Sequence, residues 1–383
     1  MNKVGILTFH NSINYGSVLQ AYALECAIES LGNSVEIVNY QQRNYAHLYD
    51  LFRQNCSGKD LAHNLMQLPF YRLLMSRQQA FLAFRSEQLR ISAAKCSYGD
   101  SLVGLVDAYD CIVCGSDQIW NPNALDFDEA YFLPWVTFAK KIAYAVSLNG
   151  GMLDKLPNAA EIKKYILDFD VLSVREESGK QVLESFLDGK REVRVVLDPT
   201  LLHGAEVYRK IVAERSIPES YIFLYSVNFD QSVIDAAERL SERLQLPVFT
   251  LFTHAGRKKL LFRKGKLRLL RDNVGPMDFL SLIQNAACVV TNSFHGTAFS
   301  IIFNKEFYAI GRTNSSDATI RDERICSILE LLGLQERFLS AAQAGSFSIA
   351  EKINYADANL RRAALAKESM NFLSVALVNG GVH

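Results

Sequence analysis

Short apolar runs alternate with amphipathic stretches along most of this chain, and that alternation predicts a parallel α/β architecture. Val4–Phe9 reads as a strand. Ser17–Leu31 reads as a helix, with Ala21, Leu24, Ile28 and Leu31 on one face and Gly32 as its stop. Val35–Asn39 reads as the next strand. From about residue 41 to about residue 100 the rhythm breaks into mixed helices carrying Leu, Phe and Met, with more Arg and Lys than acid. Asp110–Gly115, Lys141–Ser147 and Val171–Arg175 resume the strand pattern. Val195–Leu197 then runs into Asp198-Pro199, where a first domain ends.

A second set begins with a strand at Tyr221–Val227, a helix near Gln231–Leu244 and a strand at Val248–Phe252. Phe279–Ala286 reads as helix, Ala287–Thr291 as strand, and a further helix after His295 ends near Asn304. Phe307–Ile310 closes the set, and Ala350–Val375 reads as a long helix. The boundaries expected are 1–200 for the first domain, with a helical insertion at about 41–100, and 201–345 for the second. Residues 346–383 form a C-terminal helix expected to pack back on the first domain. The length of 383 residues agrees with two domains of roughly 150 to 200 residues each.

Composition narrows the classes. The 41 basic and 41 acidic residues balance, which argues against general nucleic-acid binding, and 49% hydrophobic residues are enough for a sizeable core. Met1-Asn2-Lys3 leads directly into the first strand, so no signal peptide is expected. No window approaches the roughly 18 consecutive apolar residues of a transmembrane helix. The seven cysteines are scattered, and Cys111-Ile112-Val113-Cys114 lies inside an apolar strand, where it reads as core packing. A reduced, cytoplasmic protein is the expectation.

The candidate chemistry gathers at strand ends. In Thr291-Asn292-Ser293-Phe294-His295-Gly296 a buried strand turns sharply into a helix, the place where α/β proteins bind ligands. A helix N-terminus there offers N–H groups and a positive dipole end to an anion. His295 is the best single candidate for a general acid or base; the alternative is a histidine that caps the helix and fills a corner of the core. The loop Phe9–Ser17 supplies Asn11 and Asn14 as paired donors and acceptors, together with Tyr15 and with Gly16 for close backbone approach. An Asn-rich turn with Ser17 as helix cap is its plainer reading. No GxGxxG fingerprint follows the first strand. Ser116 and Asp117 close an apolar strand and can position a hydroxyl or cap a helix. Arg175 ends another apolar strand; its guanidinium suits a carboxylate or phosphate, or pairs with Glu176, Glu177 or a carboxylate elsewhere. Lys305, Arg312 and Arg321 follow the His295 segment and can ring the same anion pocket. The stretch 257–268 is basic and free of acid, suited to an anionic membrane surface, a diphosphate or plain solvent.

Together these motifs resemble the polysaccharide pyruvyl transferase family. The matching pieces are Asn14-Tyr15-Gly16-Ser17, Gly115-Ser116-Asp117-Gln118-Ile119-Trp120-Asn121, Ile142-Ala143-Tyr144-Ala145-Val146-Ser147 and Ser173-Val174-Arg175-Glu176. Asp198-Pro199-Thr200, Val274-Gly275-Pro276 and Thr291–Gly296 complete the ordered set. The resemblance implies two Rossmann-like domains in a GT-B-like arrangement with an interdomain cleft. It also implies transfer of a pyruvyl group from phosphoenolpyruvate to a sugar, giving a pyruvate ketal on a surface or exported glycan. His295 would then be the acid or proton relay, and Arg175 would hold the carboxylate or phosphate. Asn11, Asn14, Tyr15, Gly16, Ser116, Asp117, Ser293, Gly296, Lys305 and Arg312 would contact substrate. Some members carry Arg-Leu-His where this chain has Ser293-Phe294-His295, which leaves open the residue completing the anion clamp. The scheme asks for no metal and no cofactor beyond the phosphoenolpyruvate donor. The acceptor would be a glycan or a lipid-linked sugar, the second bringing peripheral membrane contact at the inner face. A GT-B glycosyltransferase using a nucleotide sugar is the rival class, and a non-catalytic glycan-binding protein a third.

Overall fold

A computed structural model describes residues 2–42, 48–52, 57–97, 102, 108–215, 217, 219–227, 229–251, 267–270, 274–311 and 318–378. The chain divides into two compact units: Met1–Leu202 with Leu365–His383, and His203–Ala364. Each unit is built on a six-stranded parallel sheet.

In the first unit β1 (Lys3–Leu7) lies between β2 (Ser34–Ile37) and β5 (Cys111–Asp117), followed by β6 (Lys140–Val146), β7 (Val171–Val174) and β8 (Arg194–Val195). A short pair, β3 (Tyr40–Gln41) and β4 (Cys96–Ser97), stands apart, and a parallel bridge joins Ile37 to Ile91. Between these strands the insertion holds the helices Gly58–Gln67 and Tyr71–Gln88. The central strands β1, β5 and β6 are buried on both faces, as in parallel sheets generally, and their runs of Val, Ile, Leu and Cys follow from that. Cys111 and Cys114 are buried free thiols, with Cys114 Sγ 2.8 Å from the Tyr131 carbonyl, so this CxxC is core packing. The C-terminal segment from Leu365 belongs to this unit. Ser369 Oγ accepts the Leu197 N–H at 3.0 Å, Phe372 packs on Tyr144, and Asn2 donates to the Leu377 carbonyl.

The second sheet orders β11 (Leu267–Leu270), β10 (Val248–Leu251), β9 (Ile222–Tyr225), β12 (Cys288–Thr291), β13 (Glu306–Ile310) and β14 (Phe338–Leu339). This is the 3-2-1-4-5-6 order of a Rossmann domain. Its helix Pro276–Asn285 starts three residues before the expected Phe279. Pro276 takes the first-turn position, where a missing N–H costs nothing, and Asp278 Oδ2 accepts the Gly275 N–H at 3.0 Å. Among the described residues no helix is long and apolar enough to cross a membrane.

The helix Tyr15–Ser30 is almost wholly buried and carries one carboxyl with it. Glu25 is 5% exposed and accepts the Arg90 N–H at 3.1 Å. Burial pushes this carboxyl up to about 7, against the opposing pull of the Arg90 N–H and guanidinium. Folded protein therefore holds a proton that unfolded chain releases near 4.5. The stabilisation is full below that pH, is lost as pH rises through about 7, and stays lost above. Glu25→Gln keeps the acceptor oxygen without the charge. Its melting temperature relative to wild type should thus be more favourable at pH 8 than at pH 5; a gap that does not change with pH would remove Glu25 as the cause.

Candidate active site

In both units the motif residues collect where strand order reverses, outside the carboxyl ends of the strands. In the first unit this point lies between β1 and β5, and in the second between β9 and β12.

The second-unit turn is built from short, mutually bonded side chains. Thr291 Oγ1 accepts the Ser293 N–H at 3.0 Å, and Ser293 Oγ caps the helix Phe294–Ile302 by accepting the Gly296 N–H at 3.4 Å. A Cβ on residue 296 would overlap Thr291 Oγ1 and stand 3.1 Å from the Tyr225 ring, so glycine lets this helix start close against β9 and β12. Asn292 ties the two loops of the switch point together. Its Oδ1 accepts the Val227 N–H at 3.2 Å, and its Nδ2 donates to Asp230 at 3.2 Å. His295 sits in the first helical turn, 7% exposed, its ring edge-on to Phe294 at 5.2 Å. Ser293, not His295, is the cap. The imidazole is thus placed by a fixed turn at the positive end of a helix dipole, where it can exchange a proton with an anionic ligand.

Lys305 does not join this turn. It precedes β13, whose first residue pairs with Cys288 at the amino end of β12, and its ammonium donates to the Gln284 carbonyl at 2.9 Å. The intervening helix returns the chain to the opposite end of the sheet, so Lys305 cannot ring an anion held at His295. Half-burial lowers the pKa of this lysine. Arg312 lies outside the described residues, as does the 257–266 part of the basic stretch, and Arg321 lies in the helix Ala318–Leu332.

In the first unit Ser116, Asp117 and Arg175 do come together, in a buried polar network. The Arg175 side chain is 1% exposed and faces three carboxylates: Asp198 at 2.8 Å, Glu176 at 3.4 Å and Asp117 at 3.7 Å. Burial works against its charge, but these carboxylates outweigh it and hold the guanidinium above its ordinary pKa. Of the two roles open for Arg175, substrate clamp or ion pair, the geometry supplies the second. Ser17 Oγ donates to Asp117 Oδ2 at 2.5 Å, Ser116 Oγ reaches the Ala145 carbonyl at 2.8 Å, and Ser147 Oγ meets Glu176 at 2.5 Å. Gly115 has φ +135°, and a Cβ there would collide with the Tyr144 carbonyl, which is why the strand end needs glycine.

The asparagines of the first loop serve the fold. Asn14 Oδ1 accepts the Gly16 N–H at 3.0 Å and caps the helix, which therefore starts at Tyr15 rather than at Ser17. Asn11 Nδ2 donates to the Tyr40 carbonyl at 2.8 Å, and Arg85 donates to the Asn11 carbonyl and Oδ1 at 2.9 and 3.1 Å. Tyr15 is buried beneath the Arg77 guanidinium and beside Phe81. Glu176 is one of the ion-pair partners the sequence offers for Arg175, whereas Asp198, Asn292 and Asp230 are given no role there. Asp198-Pro199-Thr200 carried a usable signal, since Asp before Pro starts a helix, and Asp198 Oδ1 does accept from Thr200 N and Oγ1. Among the described residues no group of three or more His, Cys, Asp or Glu side chains is placed to hold a metal ion.

The two sheets define a pair of Rossmann-like domains. The same fold spans the UDP-GlcNAc 2-epimerase of Methanocaldococcus jannaschii at 13% identity and TM-score 0.55, covering 97% of this chain and 99% of that one. An S. aureus MnaA–UDP co-structure superimposes at 10% identity and TM-score 0.56, covering 99% and 98%. At these identities the likeness is one of fold, that of two Rossmann-like domains. No curated protein matches in sequence. The family model of polysaccharide pyruvyl transferase matches residues 14–314. The chain belongs to the polysaccharide pyruvyl transferase family, and it is an enzyme of that class.

Proposed function

We propose that this enzyme transfers the pyruvyl group of phosphoenolpyruvate to two hydroxyls of one sugar, forming a pyruvate ketal and releasing phosphate. The observation that carries the reading is the His295 turn, a histidine fixed at a helix N-terminus on the switch point of a Rossmann unit, inside the family match. In this scheme a proton reaches C3 of the donor, and the first sugar hydroxyl adds to the resulting electrophilic C2 as its own proton leaves. The second hydroxyl then displaces phosphate from C2, and the ketal closes. His295 supplies or relays the proton, and the helix dipole at Ser293 and Gly296 favours the donor's negative charge. Arg175 acts at one remove, by holding Asp117, Glu176 and Asp198 in place.

The acceptor we infer is a surface or exopolysaccharide sugar or its lipid-linked precursor, met in the cytoplasm at the inner face of the membrane. The test incubates the protein with phosphoenolpyruvate and a panel of synthetic glycosides and lipid-linked sugars. Phosphate release together with the mass gain of a pyruvate ketal is expected. Nucleotide release from a nucleotide sugar, with phosphoenolpyruvate untouched, would replace this reading with glycosyl transfer.

A further inference from the structure

The helix Gly58–Gln67 is built inside out. Its polar residues Asp60 and Gln67 are buried, whereas Leu61, Leu65 and Met66 are 60%, 57% and 57% exposed. Leu68 and Tyr71 continue the exposed apolar surface into the next turn, and Phe52 stacks on Tyr71 at 5.7 Å. Other exposed apolar side chains such as Leu125 and Phe138 are far from this stretch in sequence; scattered single exposures are ordinary, and a helix that turns its leucines outward is not. In water this arrangement forfeits the burial that ordinarily holds a surface helix.

Charge narrows what the face can meet. Across residues 57–88 the bases are Lys59, Arg72, Arg77 and Arg85 and the acids are Asp60 and Glu87, so the stretch carries more base than acid. Asp60 is turned inward and bonded to Ser57 Oγ at 2.5 Å, so the helix Gly58–Gln67 presents no carboxylate on its outer surface. Arg72 is exposed at the edge of the apolar face. A second copy of the chain is a poor occupant. This handful of side chains falls short of the roughly 20–30 residues a side of a stable interface.

We propose that the exposed face formed by Leu61, Leu65, Met66, Leu68 and Tyr71 docks on an anionic lipid bilayer, lying in the interface with Arg72 among the headgroups. The proposal rests on the reading that the acceptor is presented at a membrane, and it names the surface that would meet it. Sedimentation with phosphatidylglycerol–phosphatidylcholine vesicles, against phosphatidylcholine alone, provides the test. Wild-type protein should pellet with the anionic vesicles, and less at high salt. Leu61→Ser with Leu65→Ser should lower partitioning roughly tenfold or more, since two half-exposed leucines no longer enter the bilayer. Leu65→Lys is the second variant; both change exposed positions, and melting curves confirm that they fold.

Protein that stays in solution with both vesicle types overturns the proposal, as does unchanged pelleting of the two leucine variants. It also fails if only reversing Lys258, Lys259, Arg263 and Lys264 to Glu releases the protein, or if the leucine changes dissolve a dimer and leave vesicle binding intact. Transfer to a soluble glycoside is assayed in parallel and should be the same in wild type and variants. Its absence in wild type would overturn the transfer reading alone and leave the sedimentation result standing.

Discussion

His295→Ala is expected to lower pyruvyl transfer by about 100- to 10,000-fold, the usual cost of removing a general acid or base. The fold should survive. The helix that carries His295 is started by Ser293 and seated by Gly296 against Thr291 and Tyr225, and none of these contacts uses the imidazole. The loop beneath it is held by Asn292 through Val227 and Asp230. Because the ring is largely buried beside Phe294, the shape-conserving His295→Gln separates chemistry from packing. Both variants should melt near wild type and both should lose phosphate release. Near wild-type turnover in either one removes His295 from the proton transfer.

Arg175→Ala should have the largest effect on stability, on the order of 3–5 kcal/mol, the cost of leaving a buried ion group uncompensated. Three carboxylates face this guanidinium, and the Asp198 side chain nearest to it is 0% exposed. A loss of that size is a large part of the roughly 5–15 kcal/mol that holds a domain together. Lysine is a poor substitute, because one ammonium cannot span Asp198, Glu176 and Asp117 as a planar fork does. Arg175→Lys should therefore fall between wild type and alanine in urea unfolding. If Arg175→Ala unfolds at the same urea concentration and only its KM for phosphoenolpyruvate rises, the guanidinium is a substrate clamp and the ion-pair reading is wrong.

The strand and helix pattern was legible because buried parallel strands and amphipathic crossovers have different periods. The site was legible only where the chemistry is local. His295 follows a strand directly, so the turn that positions it is written in six consecutive residues. Lys305 shows the limit: it is one helix away in sequence, but a helix carries the chain back along the strands, and closeness in sequence became distance across the sheet. Arg175 could be read as clamp or ion pair because two of its partners, Asp117 and Asp198, come from other crossovers. Asn11 looked like a ligand donor because its partners Tyr40 and Arg85 sit in or beside the irregular insertion, where no periodic pattern places them.

The segment from Leu365 has a consequence for the order in which the protein is made. The first unit is complete only when Ser369 reaches Leu197 and Phe372 reaches Tyr144, whereas the second is one continuous stretch, His203–Ala364. On a ribosome adding about 5–20 residues each second, the part of the chain begun first is the last to be finished. Its six strands are all made by Val195, but the face around Tyr144 stays uncovered while an entire second domain is synthesised and can fold. A fragment ending at Leu202 lacks the Ser369 and Phe372 contacts, and joining residues 365–378 to it is expected to restore them.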